Sequence, residues 1–128
     1  TKIASGSSSN CGLTTSKKIY CWGRNTFGNL GDNTTTQRNS PTSIARNDLD
    51  WADVVGGVNE FCAIQDVTGN LYCWGRNEDN QVNNTLAYVT SPYQMDNDSY
   101  VRVSMGEFTG CAINTSDELK CWGFNYAY

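Results

Sequence analysis

The stretch CAIQDVTGNLYCWGRN, residues 62–77, decides the fold. Ala63-Ile64 and Leu71, two residues before Cys73, flank the polar Asp66-Val67-Thr68-Gly69, which reads as two short strands around a turn. The same arrangement recurs as CGLTTSKKIYCWGRN from Cys11 and CAINTSDELKCWGFN from Cys111. A Gly stands five residues before each first cysteine, at Gly6, Gly57 and Gly106, and an aliphatic residue precedes each Gly by three, at Ile3, Val54 and Val103. The two offsets, 51 and 49 residues, define an internal repeat. Ser40-Pro41 and Ser91-Pro92 recur between the hairpins, and so do the aromatics Trp51 and Tyr100 ahead of Val54 and Val103. Helical periodicity is absent. The reading is an all-β, propeller-type repeat array of about two and a half blades of antiparallel sheet. Hairpins are expected near 3–25, 54–77 and 103–125, with connectors 26–53 and 78–102, as one partial array over 1–128.

Composition narrows the function. The 128 residues carry 9 basic and 13 acidic side chains, a net charge of −4, and only 38% are apolar. With a mean hydropathy of −0.53, the core is expected to be thin and to need help from elsewhere. A net acidic chain with scattered cations offers no stripe for phosphates, so nucleic acid is excluded as a partner. No apolar run approaches the roughly 20 residues that span a bilayer, so no membrane insertion is expected in this segment. The chain has no histidine, which removes imidazole-based nucleophilic catalysis and imidazole-ligated zinc. No cofactor and no metal site are expected.

The pattern aliphatic-x-x-Gly-x4-Cys, a polar turn, then CWGRNTFGNLGD at residues 21–32 and a following Pro resembles the repeats of the regulator of chromosome condensation. The resemblance is to the cysteine-bearing form found in secreted bacterial proteins and in the ectodomains of crinkly-type plant receptor kinases, and it runs through essentially the whole chain. It implies a propeller used as a protein-binding platform. The nucleotide-exchange role of the nuclear members does not transfer with it. In the second unit Glu78 to Asn83 reads EDNQVN, without counterparts of Gly28, Leu30 and Gly31, so that connector is expected to be rebuilt.

Three similarly spaced cysteine pairs read as a disulfide framework from an oxidising compartment. Cross-strand neighbours in a hairpin have β-carbons about 5 Å apart, which favours Cys11 with Cys21, Cys62 with Cys73 and Cys111 with Cys121. The spacing within pairs is too wide for a zinc knuckle. The sequons Asn33, Asn83, Asn97 and Asn114 all fall in expected loops or turns, where a glycan is solvated. Asp48, Asp50 and Asp53, and Asp96 with Asp98, raise a calcium reading, but neither group has an EF-hand pattern and a solvated connector is preferred. Glu78-Asp79 and Asp117-Glu118 fall at expected turns, without the buried partner that glycosidase chemistry needs. Trp22, Trp74 and Trp122 hold one repeated position, which suits packing better than sugar stacking. Tyr88, Tyr93, Tyr126 and Tyr128 lie outside the repeat logic and are candidates for contact surfaces.

Closure of a propeller takes at least about four blades, more than three hairpins supply. Terminal strand edges are therefore expected to need cover, with Ile3, Trp122, Phe124, Tyr126 and Tyr128 as candidate assembly residues. The cover would be further repeats of the same chain or copies of itself, as a ring or filament. The functional reading is an extracellular or cell-surface, non-enzymatic binding or structural module, such as a receptor, adhesin or fibre component, with an unidentified protein or glycan ligand. A secreted hydrolase is the alternative from another class, and a lectin-like or enzyme-inhibitor propeller a variant of the binding reading. Non-reducing peptide mapping should find the three local cysteine linkages, and a linkage between repeats would refute the pairing.

Overall fold

The computed structural model describes residues 1–82 and 85–124, among which every regular element is a strand. Directly opposed cysteines set the register of each hairpin. The first sheet is β1 (Lys2–Ser5), β2 (Ser9–Leu13), β3 (Ile19–Gly23) and β4 (Arg38–Ser43), antiparallel and in chain order, with Cys11 opposite Cys21. The second repeats it as β5 (Trp51–Gly56), β6 (Glu60–Gln65), β7 (Leu71–Arg76) and β8 (Tyr88–Gln94), with Cys62 opposite Cys73. The third has three strands among the described residues, β9 (Tyr100–Met105), β10 (Thr109–Asn114) and β11 (Leu119–Gly123), with Cys111 opposite Cys121. Each opposed pair is a disulfide with Cα atoms 4.1 Å apart.

Period-two alternation divides each sheet into two faces. Cys11, Leu13, Ile19 and Cys21 on one face of the first sheet pack with Val54, Phe61, Ala63, Tyr72 and Trp74 of the second. Cys62, Ile64, Leu71 and Cys73 on the other face of the second sheet pack with Tyr100, Val103 and Ala112 of the third. The middle sheet is thus buried on both sides, and β6 and β7 are buried along nearly their whole length. Each outer sheet keeps one face open. Tyr20 and Ile3 are exposed on the first, and Val101 and Leu119, 56% and 67% exposed, on the third.

The Cys-Trp-Gly repeat has a backbone cause. Gly23, Gly75 and Gly123 adopt φ of +108°, +109° and +103°, a region open in practice only to glycine. At Gly23 and Gly75 the pairing with the fourth strand shifts by two residues, so the ladder is interrupted there. The turns of the first two hairpins tie to the next sheet, with Trp51 N donating to Lys17 O at 2.9 Å and Tyr100 N to Gly69 O at 2.8 Å. These bonds fix the start of β5 and β9, and the Trp51 and Tyr100 rings buried there in the two inter-sheet cores account for the repeated aromatic.

One expectation needs correction. The second connector is not rebuilt through Val82: Asn77 Oδ1 accepts from Val82 N at 2.7 Å, as Asn25 Oδ1 does from Leu30 N at 2.9 Å. Asn80 takes the left-handed turn that Gly28 takes in the first connector, with φ of +59° against +70°, and Val82 is buried as Leu30 is. Asparagine tolerates that conformation better than other non-glycine residues, so the missing glycine hid a conserved turn geometry. Trp122 lies on β11, the outermost strand of the third sheet among the described residues, the edge position expected of it. It is half-buried against the second core cluster beside Met105, because it stands one residue from Cys121 and points to the opposite face.

The core places the three disulfides unequally. Cys11–Cys21 and Cys62–Cys73 are wholly buried between sheets, whereas Cys111 is half-buried and Cys121 exposed on the open face of the third sheet. Mild reductant under native conditions should therefore open Cys111–Cys121 first. Alkylation mapping checks this, and equal labelling of all six cysteines at partial reduction would contradict the packing.

Candidate protein-binding face

One end of the array carries the turns that join the first two strands of each sheet, residues 5–9, 56–60 and 105–109. The residue after each Cys-Trp-Gly is tied to them. Arg24 N donates to Ser8 O at 3.0 Å, Arg76 N to Asn59 O and Phe124 N to Phe108 O, both at 2.9 Å. The backbone scaffold repeats while the side chains on it differ. The Arg76 guanidinium lies over the Phe108 ring at 5.2 Å and the Phe27 ring at 5.7 Å, and pairs with Glu78 at 2.6 Å. Phe108 meets Phe124 edge to face at 6.4 Å. Phe27, Arg76, Phe108 and Phe124 thus form one amphipathic platform across all three sheets. A half-buried, stacked arginine beside aromatic rings is the chemistry enriched at the energetic centres of protein interfaces. Spacing alone did not reveal this platform, because its members come from three repeats and one connector; the departure of Phe124 from the Arg of the other two units was its one visible sign.

Every acidic residue of the calcium reading faces a cation. Asp48 lies 3.3 Å from Arg46, Asp50 2.7 Å from Lys18, and Asp53 2.7 Å from Lys2. The Lys120 ammonium lies against both Asp96 and Asp98. Its hydrogen bond holds the Asp98 carboxyl below the ordinary range, and that of Asn114 adds to it. Tyr100 OH donates to Asp96 Oδ2 at 2.7 Å, and burial together with that bond pushes its phenol up to about 12. This network props the junction of the second and third sheets.

The remaining candidates are scattered. Asn33 and Asn97 are exposed, and Asn83 lies outside the described residues. Asn114 is not an open acceptor as expected. It is 5% exposed, its amide nitrogen donates to Glu118 Oε2 at 2.8 Å and Asp98 Oδ2 at 3.3 Å, and its oxygen accepts from Ser116 N and Glu118 N. A turn-capping asparagine and a sequon look the same in sequence. Ile3 is exposed on the open face of the first sheet, and Phe124 joins the platform. Tyr126 and Tyr128 lie outside the described residues. Tyr88 and Tyr93 are exposed on β8.

Two overlapping matches to the family described as Regulator of chromosome condensation (RCC1) repeat cover residues 1–29 and 18–64. The chain belongs to the RCC1-repeat family. Ras guanine nucleotide exchange factor C of Dictyostelium discoideum is 29% identical over 77 residues, 60% of this chain and 5% of that protein. Human WBSCR16 superposes with a TM-score of 0.87 at 19% identity, over 96% of this chain and 32% of that one. Yeast RCC1 (Prp20), solved bound to Kap60, gives 0.81 at 22% over the same shares. The ectodomain of the Physcomitrella patens receptor kinase CR4 gives 0.65 at 23%, over 94% and 29%. The RCC1-repeat chain spans about a third of the length of these structures.

Arg76→Ala should lower stability by about 1 kcal/mol, through loss of two cation–π contacts and a partly exposed ion pair. Arg24→Ala at the equivalent exposed position should stay within about 0.5 kcal/mol of wild type. Urea unfolding of both variants checks the difference.

Proposed function

We propose that this RCC1-repeat chain is an extracellular, non-enzymatic binding module that engages a protein partner through the Arg76 platform. The observation that carries the compartment is a disulfide in each of the three sheets, two of them wholly buried where the sheets pack together. Such bridges form in oxidising surroundings. The likeness to crinkly-type ectodomains supports the same setting, and the yeast relative solved with Kap60 supports protein binding as a use of this scaffold. Against the hydrolase alternative, Glu78 pairs with Arg76 and Glu118 accepts from the turn-capping Asn114, so neither stands with its neighbour as a buried carboxylate pair.

The open faces are part of the proposal. Inside the chain, the face bearing a disulfide and two aliphatic residues twice receives the aromatic or small-residue face of the next sheet. The open side of the third sheet, where Leu119 and Cys121 are exposed and Cys111 and Ile113 half-buried, and the Ile3, Tyr20 and Trp22 side of the first, suit another sheet of this repeat.

Thiol trapping during isolation from the native source should find no free cysteine. Six trapped thiols would overturn the extracellular assignment. A hydrolytic turnover abolished by one carboxylate substitution would overturn the non-enzymatic one.

A further inference from the structure

The three turns of the platform are equivalent in position but not in chemistry: Gly6-Ser7-Ser8-Ser9, Gly57-Val58-Asn59-Glu60 and Gly106-Glu107-Phe108-Thr109. At the first junction Ser7 N and Ser7 Oγ both donate to Val58 O at 2.9 Å, locking the first turn onto the second. At the second junction Val58 stands where Ser7 would, without a hydroxyl, and among the described residues no bond links Val58 to the third turn. A donor is missing there.

The next difference lies two residues on. In the first sheet Ser9 Oγ accepts from Asn29 Nδ2 at 2.7 Å. In the second, Glu60 and Gln81 take those places, both wholly buried, and both Glu60 Oε1 and Gln81 Nε2 lack a partner. Glu60 Oε2 accepts from Asn59 N at 3.0 Å. A side chain at Gly57 would collide with the Glu60 carboxyl and come within 2.7 Å of Gly106 O, so the carboxyl and a carbonyl of the third turn border the same small space. Two acceptors repel there if the carboxyl is ionised, whereas a neutral carboxyl brings the O–H that the junction lacks.

We propose that Glu60 holds a proton under mildly acidic conditions and donates it to Gly106 O, so that protonation clamps the second turn to the third and ionisation, as the pH rises through neutrality, releases the platform made by Arg76 and Phe108. Burial is the largest influence and pushes the carboxyl up to about 7. The amides of Asn59 and Val58 oppose it, as does Arg76 on β7, while Asp79 on the connector adds to it. Glu78 neutralises much of Arg76 through their ion pair, and Glu107 is the charged residue of the facing turn. The bearing on binding rests on the platform being the binding surface, whereas the proton clamp does not.

The sign follows from linkage. The folded carboxyl titrates higher than the unfolded one, near 4.5, so its contribution is fully present below about 4.5 and is lost as pH rises through about 7. The test is carboxyl-carbon NMR of Glu60, with Phe108 ring resonances and thermal midpoints followed from pH 5 to 8. Glu60 is expected to titrate near 7, the Phe108 resonances to move with the same midpoint, and the thermal midpoint to fall over that range. Glu60→Gln, whose amide donates at every pH, should remove this component of the pH profile. Glu60→Thr, the residue of the third sheet, should do the same if the glutamine variant does not fold. A Glu60 carboxyl titrating below 5, Phe108 resonances that ignore its titration, or variants that keep the wild-type profile would each overturn the clamp. No arm uses a ligand, so failure of the binding reading would leave these results standing.

Discussion

Both faces of each sheet in this repeat carry apolar side chains, so a sheet buries them fully only between two others. The consequence is visible in the middle sheet, whose strands β6 and β7 are buried on both sides. Burying an aromatic side chain such as Trp74 or Phe61 contributes about 2–3 kcal/mol, and a disulfide closing a loop of about ten residues up to roughly 3 kcal/mol. One bridge is therefore worth about one large core residue. Thirteen buried residues form the first inter-sheet core alone, so packing between sheets outweighs the staples. The disulfides also take part in that packing, since two of them are core surface.

On this frame the backbone repeats and the side chains diverge. The same bond from the residue after Cys-Trp-Gly to the neighbouring turn occurs in each sheet, yet it presents Arg24 with Ser8, Arg76 with Asn59, and Phe124 with Phe108. A scaffold of this kind separates stability from recognition: the buried positions are held by the repeat, and the turn positions are free to specialise. The Arg76 platform is such a specialisation, and Glu60 lies in the same turn of the second sheet.

The repeat, the hairpin register and the all-β class were legible because a cysteine opposite a cysteine leaves one alignment for each pair of strands. The poor alternation of Ala63-Ile64 was legible in hindsight too, since a sheet covered on both sides has no polar face to alternate. Other features were hidden for physical reasons. Asn80 stands in for Gly28 because asparagine reaches the same backbone region, so pattern matching saw a lost glycine where the turn survives. Asn114 spends its amide on Asp98 and Glu118, a use that no local motif distinguishes from a sugar acceptor. The platform escaped because Phe27, Arg76 and Phe108 meet only once the sheets are stacked.

The opposed cysteines carry a mechanical meaning. A chain pulled from its ends can peel the sheets apart and unzip the outer strands, but each hairpin tip is bypassed by a covalent bond spanning 10, 11 and 10 residues. At about 3.5 Å per residue, on the order of 100 Å of contour stays locked under any load that spares the disulfides. Tension then crosses each hairpin through sulfur, and the turns between the cysteines, Lys17 and Gly69 among them, are shielded from it. The length released under load becomes a function of the redox state of the surroundings.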